Sequence, residues 1–417
     1  MKRNKTIYVI SKDGKPLMPT NQVTARLLLK SGKAKCIRSS IFTIKMIEET
    51  SEQTQPLTLG IDTGSSMIGS AVVDDKGNVA YVSEVEVRND ITNKMTQRVK
   101  YRRNRRNRKT RYRKARWEHR KNSIKSDRFS PTMISKFDSH LKEVEFVKSI
   151  LPTTKIIVET GTFDPHALKN PDVLKYKWLY QKGLNYGFAN TKAFVLNRDN
   201  YICRYCKNKK NKHLEVHHIV YRSNGGSDEH ENLVTLCKGC HDGVHNGTIK
   251  LKGGKKKGTL NHATQMNSIR VQLLKVLKCE ETFGFVTKLH RERLNLPKEH
   301  YIDAIMIASQ GKEIKFGVIR LIKKKCISDG DYQQTKGVRS EQRIPTGKIK
   351  GYRKFDKVEY EGKEYFIMGR MSIGYAILMN IKGEKQVLKP IPKFDKMKRI
   401  SSRKSWITQV ETIPKVA

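Results

Sequence analysis

Four cysteines in two tight pairs, Cys203-x-x-Cys206 and Cys237-x-x-Cys240, constrain this chain more than any other feature. Four thiolates in two such pairs close a tetrahedral zinc shell and leave no coordination position open. An ion held that way is structural: it staples a segment too short to stabilise itself. The other cysteines, Cys36, Cys279 and Cys326, are scattered. That usage fits a metal site in a reducing compartment, not a disulfide framework. The first ten residues are too poor in apolar positions for a secretory core, and no apolar run of about 18 residues occurs. The expectation is a cytoplasmic protein with no membrane partner.

Within and just after the paired cysteines stand residues suited to phosphodiester chemistry: Leu214-Glu215-Val216-His217-His218-Ile219, Asn232-Leu233-Val234 and His241. His218 suits a general base, imidazole being the side chain that most often takes that role. His217, Asn232 and His241 are suitable ligands for one divalent ion that polarises a phosphate, with His245 a weaker candidate for the same ion. A zinc ribbon that only binds nucleic acid would need the cysteines but none of these. Asn224-Gly225-Gly226 reads as the apex of a hairpin between the pairs.

Charge points to a polyanionic partner. The 417 residues carry 85 Lys+Arg against 40 Asp+Glu, a net +45, while 37% are apolar, enough for cores in two to four domains. So basic a chain repels itself until phosphates neutralise it, which points to nucleic acid but not to catalysis. The charge peaks over Arg98 to Lys121, where 14 of 24 residues are Lys or Arg and Glu118 is the only acid. Good helix formers and the absence of Pro and Gly predict a helix once the charge is neutralised. Having no apolar stripe, it cannot dock on a core; its arginines suit bidentate phosphate contacts. Tyr101, Tyr112 and Trp117 add stacking surfaces.

Hard-metal ligands lie far apart along the chain. Asp62 closes the strand-like Leu57-Thr58-Leu59-Gly60-Ile61, and Glu159 ends Ile156-Ile157-Val158. His300 and Asp303, at i and i+3, share one helical face just before Ala304-Ile305-Met306-Ile307-Ala308. Singly each has a plain alternative. Gly60-Ile61-Asp62-Thr63-Gly64 also opens actin-like ATPases, Glu159 could be a solvated strand end, and His300 a capped surface histidine. Further strands are predicted at 7–10, 41–47, 68–73, 79–87, 357–360, 365–368 and 375–378, and a helix at 23–30; Pro16-Leu17-Met18-Pro19 reads as a stiff connection.

Residues 196–248 resemble the HNH endonuclease family, with His218 at the position of the general base and Asn232 at the middle Asn. They depart at His217, where many relatives carry Asp. Asp62, Glu159 and the His300/Asp303 pair, in that order, are similar to the three RuvC motifs of RNase H-like nucleases. The order of motifs, with an arginine-rich helix after the first and the HNH insert after the second, is similar to that of type II CRISPR effector nucleases. The chain leaves no space for their recognition lobe. With Pro16-Leu17-Met18-Pro19 near its start, it is identified as a member of the IscB family of compact, transposon-encoded RNA-guided nucleases.

That resemblance implies a multidomain α/β fold, an RNase H-like mixed sheet split by an arginine-rich bridge helix and a zinc-stapled ββα-metal insert. The segments would be an N-terminal α+β module (1–55), RuvC-I (56–95), bridge helix (96–125), RuvC-II (126–165), linker (166–195), HNH (196–248), RuvC-III (249–312) and a basic β-rich C-terminal module (313–417). It implies two Mg²⁺ held by Asp62, Glu159, His300 and Asp303, one Mg²⁺ in the HNH site, and zinc on the four cysteines. The partner would be a structured guide RNA (ωRNA), with Arg102, Arg105, Arg106, Arg108 and Arg113 near its backbone. The substrate would be double-stranded DNA bearing a short flanking motif. The HNH site would cut the guide-paired strand and the RuvC site the displaced strand, in a monomeric ribonucleoprotein at the prokaryotic nucleoid. Against this stand two other readings: an RNA-binding structural or regulatory protein that cuts nothing, and a guide-free homing or junction-resolving nuclease.

Overall fold

A computed structural model describes residues 6–107, 129–208, 213–253, 260–317, 319–328 and 348–413. The chain opens with β1 (Ile7–Ile10), β2 (Pro16–Thr20), α1 (Gln22–Lys30), β3 (Ala34–Arg38) and β4 (Thr43–Met46), the strands ordered β2-β1-β4-β3. Asn21 starts the helix by accepting the Thr24 N–H at 2.8 Å. The stretch Pro16-Leu17-Met18-Pro19, expected as a stiff connection, is β2 itself. It lies at the sheet's edge, where a proline removes no ladder bond. β3, exposed along most of its length, was not legible in the apolar pattern.

Next come β5 (Leu57–Asp62), β6 (Met67–Asp74) and β7 (Val79–Glu86), then α2 (Ile91–Asn107), α3 (Pro131–Lys148) and β8 (Lys155–Thr160). These strands fall within one or two residues of their predicted bounds. α2 contains the first part of the arginine-rich segment; Arg108, Arg113 and the rest of it lie outside the described residues.

The chain divides into two compact units, one formed by Met1–Gly161 with Met266–Ala417, the other by Thr162–Gln265. The second holds α4 (Pro165–Lys169), α5 (Asp172–Lys175), α6 (Thr191–Arg198), β9 (Leu214–His218), β10 (Leu233–Cys237) and α7 (Lys238–His245). The stretch 166–195, expected as a linker, therefore carries helices. β9 and β10 pair antiparallel, with His217 opposite Val234 and His218 opposite Leu233. Asn224-Gly225-Gly226 lies in the long loop joining them, where Gly225 takes φ +84°, and not at a tight apex.

The helix α8 (Asn261–Leu277) spans the boundary at Met266, and the first unit continues with β11 (Glu280–Phe283), α9 (Gly284–Arg293), α10 (His300–Ser309) and β12 (Ile319–Cys326). It ends with β13 (Lys357–Tyr360), β14 (Lys363–Arg370), β15 (Ala376–Met379), β16 (Lys398–Ser401) and β17 (Trp406–Ile413). β13 to β16 make a separate sheet, but β12 and β17 do not join it. They complete a seven-stranded sheet, β11-β8-β5-β6-β7-β12-β17, which corrects the expectation that 313–417 is one module.

This large sheet is apolar on both faces. Leu57, Leu59, Ile61, Ile68, Val72 and Val85 pack with Val144 and Val147 of α3 on one side. Ala71, Val73 and Val82 pack with Ile302, Ile305 and Met306 of α10 on the other. Glycines set how closely α10 lies: a Cβ on Gly60 would collide with the backbone of Ala304 and Ala308, and one on Gly69 with the carbonyl of His300.

Candidate active sites

Strand alternation decides which side chains meet α10. In β5 the leucines and Ile61 face α3, so Thr58, Gly60 and Asp62 face α10. Asp62 lies in parallel register with Glu159 of β8 and in antiparallel register with Gly69 of β6; Gly69 in turn pairs with Glu84 of β7. One row across the sheet thus reads Glu159, Asp62, Gly69, Glu84. The first turn of α10 lies over the gap at Gly69 and brings His300 Nδ1 to 2.6 Å from Asp62 Oδ2. Asp303, one turn further, has Arg291 Nε of α9 at 2.9 Å. Asp62, Glu159, His300 and Asp303, spread over some 240 positions, therefore converge at one end of this sheet.

The charges there are only partly compensated. Burial, with Asp62 and Asp303 nearby, pushes the Glu159 carboxyl up to about 7. Burial likewise raises Asp303, against the pull of Arg291. The hydrogen bond to Asp62 raises His300. Glu159 Oε2 is buried without a hydrogen-bond partner. A desolvated group of carboxylates with an orphaned oxygen is the donor set that hard divalent ions neutralise, so these residues fit Mg²⁺.

Two neighbours escaped sequence reasoning. Glu84 is buried, its carboxyl raised by burial and held by a hydrogen bond to the Tyr301 backbone at the start of α10. Within VSEVE it reads as one more alternating polar position. His140 of α3 is buried; its Nδ1 bonds the Lys136 carbonyl at 2.8 Å while Nε2 has no partner. Burial drops its pKa to about 4.

In the second unit the Sγ atoms of Cys203, Cys206, Cys237 and Cys240 all lie within 4.8 Å of one another. Cys206 and Cys237 are 3.8 Å apart, close to the ~3.8 Å edge of a tetrahedron with Zn–S bonds of about 2.3 Å. The four cysteines fit structural zinc.

His217, His241 and His245 form a second cluster, with ligand nitrogens within 4.8 Å. His241 and His245 stand at i and i+4 on α7, facing His217 of β9 across ring-centroid distances of 5.1 and 5.0 Å. Burial, and then the two other imidazoles, lowers the pKa of His217, whose buried Nδ1 has no partner. Neutral rings with an orphaned nitrogen fit one divalent cation. His218, next along the strand, turns the other way; its Nε2 meets Asp228 Oδ1 at 2.7 Å, and Arg222 Nη2 holds the same oxygen at 2.6 Å.

Asn232 does not join the cluster. Its amide oxygen accepts the Val220 N–H at 2.8 Å, and its nitrogen donates to the carbonyls of Val220 at 3.0 Å and Ser227 at 2.8 Å. The side chain pins the loop after β9, which places His218. Those bonds already engage the amide expected as a ligand, whereas His245 lies within ligand distance of His217 and His241. Arg102 is exposed on α2; of the side chains of Arg105 and Arg106 nothing is described. No helix among the described residues is long and apolar enough to cross a membrane.

Comparison with known families finds two matches along the chain. Residues 7–183 match the RRXRR protein family, and Arg102-Arg103-Asn104-Arg105-Arg106 spells that pattern. Residues 203–247 match the HNH endonuclease family. The type IV methyl-directed restriction enzyme EcoKMcrA of Escherichia coli K12 is 30% identical over 131 residues, covering 29% of this chain and 46% of the enzyme. Anaredoxin of a Nostoc species is 37% identical over 57 residues, covering 14% of this chain and 74% of that protein. Residues 203–247, with their zinc-capable cysteine cluster and the histidines between and after its pairs, form an HNH endonuclease domain.

Proposed function

We propose that this chain is an RNA-guided DNA endonuclease of the IscB type with two cutting centres. The HNH histidines cut the guide-paired strand, and an RNase H-like, RuvC-type centre of Asp62, Glu159, His300 and Asp303 cuts the displaced strand. The observation that carries the reading is the meeting of these four residues at one sheet end although the HNH unit interrupts the chain between Glu159 and His300. A stand-alone HNH protein has no need of a second such set. The arginine-rich segment from α2 onward would hold the guide RNA, its fork-shaped cations matching phosphate geometry. The other segment bounds, with 166–195 helical and β12 and β17 part of the large sheet, and the monomeric ribonucleoprotein belong to this proposal.

At the HNH site His218 would take the proton of the attacking water. Asp228 accepts from its Nε2, fixing the tautomer and leaving Nδ1 free to receive that proton. Asn232 keeps the loop and the imidazole in place. His217, His241 and His245 would hold one Mg²⁺, and the carboxylate centre two; bound there, the ions would neutralise the phosphate and the departing oxygen. Asp62 orients His300, and Arg291 positions Asp303.

The test uses the protein with its locus RNA, a matched DNA duplex and Mg²⁺. Asp62→Ala is expected to nick only the guide-paired strand and His218→Ala only the displaced strand. Loss of both cuts in either variant would contradict two independent centres. The likeness to a restriction enzyme favours a second reading, a guide-free nuclease. Under that reading no RNA copurifies, and cleavage follows a fixed sequence whatever RNA is supplied.

A further inference from the structure

One wall of the carboxylate centre is the junction of β11 and α9. Thr282 lies beside Glu159 in parallel register, and Phe283 beside Thr160. A Cβ on Gly284 would stand 3.1 Å from Glu159 Oε1, a tight contact, so this backbone runs close against the carboxylate. On either side of that glycine, the rings of Phe283 and Phe285 lie parallel, 6° apart in plane and 6.1 Å between centroids. Phe285 is 72% exposed. One turn along α9, Leu289 is 65% exposed, and Arg293 follows on the same side.

Two bare apolar side chains on one helix face forgo the gain that burial would bring them. Arg293 on that side and the chain's net charge of +45 favour an anionic occupant, and the ring of Phe285 a flat-sided one. Single-stranded nucleic acid is both: its phosphates answer Arg293 and the chain's basic excess, and its unpaired bases offer π faces to aromatic rings. Duplex DNA hides those faces. The stripe also adjoins the place where a phosphate would be held, so its neighbour is a nucleotide of the strand being cut.

We propose that Phe285, backed by Phe283, is a stacking platform for an unpaired base next to the scissile phosphate of the displaced strand. The inference rests on reading the carboxylate centre as the displaced-strand cutter. The platform grips the base while Asp62, Glu159 and Asp303 face the backbone, and this fixes which phosphate enters the site.

The experiment places 5-iododeoxyuridine at successive positions of the displaced strand and irradiates the Asp62→Ala ribonucleoprotein on matched DNA. A cross-link mapping to Phe285 is expected at one or two positions beside the cut. It should vanish in Phe285→Ala and persist in Phe285→Trp. In the otherwise wild-type complex, Phe285→Ala should slow displaced-strand cutting about tenfold, in line with the worth of one stacked base, and leave guide-paired cutting and the melting temperature unchanged. If the wild type cuts the displaced strand but the cross-link maps elsewhere, or Phe285→Ala cuts at full rate, the platform is wrong and the two-centre reading stands. A cross-link to RNA or to a second protein at Phe285 would also overturn it. A wild-type complex that never cuts the displaced strand removes both.

Discussion

Single residues in the HNH unit separate what holds a metal from what holds the metal's surroundings. His245 has no role among the described contacts beyond the imidazole cluster and the ring of Tyr221 at 5.9 Å. His245→Ala should therefore weaken divalent-ion binding at least tenfold, read by calorimetry, while the melting temperature stays within a degree or two. Asn232→Ala should behave in reverse. It leaves the Val220 and Ser227 backbone groups unpaired, at about 1–3 kcal/mol for each group that water cannot reach, and lowers stability before it lowers metal affinity. If His245→Ala binds metal as tightly as the parent, the three-histidine assignment is wrong. The sequence carries His218 and the four cysteines openly, because their spacing alone selects the chemistry. It cannot rank His245 above Asn232, since both are good donors and only the loop's backbone reveals that the amide is already used. His140 offers a pH test at the same scale. Its folded pKa is lowered to about 4 while the unfolded value is about 6.5. Between those values the unfolded chain binds the extra proton, so stability is full above about pH 6.5 and falls as pH drops towards 4, by roughly 3 kcal/mol from this group. Denaturant titrations at pH 7 and pH 5 should show a smaller difference in His140→Gln than in the parent.

Elements matter here chiefly through what they let approach. Gly69→Ala places a methyl against the carbonyl of His300, a backbone atom that yields only if α10 moves. Such a shift displaces His300 and Asp303 together, and misplacements of about 1 Å cost as much as a hundredfold in rate. The expected outcome is a tenfold or greater loss of displaced-strand cutting with guide-paired cutting retained. Equal rates for both strands, relative to the parent, would show that the helix position is irrelevant. On the opposite face of the sheet, α3 is tied down by an ion pair. Lys324 Nζ meets Glu143 Oε2 and the Tyr81 hydroxyl at 2.6 Å each, with the Phe146 ring centroid 4.0 Å away and no side-chain surface left exposed. Glu143 also accepts from Ser70, Ser83 and Tyr81. Lys324→Met alone strands a buried carboxylate and should cost about 3–5 kcal/mol, whereas Lys324→Met with Glu143→Leu should recover much of that in thermal melting. In sequence, Lys323-Lys324-Lys325 reads as one more basic run in a basic C-terminal region. Once it becomes β12, alternation turns the middle lysine inward and leaves its neighbours to surface pairs with Glu411 and Glu86. The pattern was visible; the fact that the run is a central strand was not, because β12 joins β7 and β17 only through pairings distant in the chain.

At the scale of the whole molecule, the two centres depend on different sources of stability. The first unit owes its form to a seven-stranded sheet with apolar clusters on both faces. The second has two paired strands, and the core around its histidines consists of Leu236 and Val244 with three of the cysteines, lined by half-buried side chains. So small a core balances little of the chain entropy it must overcome, and zinc held by the four cysteines would supply folding free energy there. Removing zinc should therefore unfold the second unit and leave the first standing. The reagent has to spare Mg²⁺, so a zinc-selective chelator in excess Mg²⁺ is the appropriate one. With guide RNA and matched DNA present, guide-paired cutting should fall to background as zinc is withdrawn, and displaced-strand cutting of a DNA already opened by base pairing should continue. Far-ultraviolet circular dichroism should lose only part of its signal, and added zinc should restore the lost cut. His218→Ala removes the same cut without that spectroscopic change, which separates loss of the base from loss of the fold. If both strands stop being cut together, or if chelation removes zinc without affecting guide-paired cutting, then the cysteine cluster is not what maintains the HNH centre and the two units do not draw their stability from separate sources.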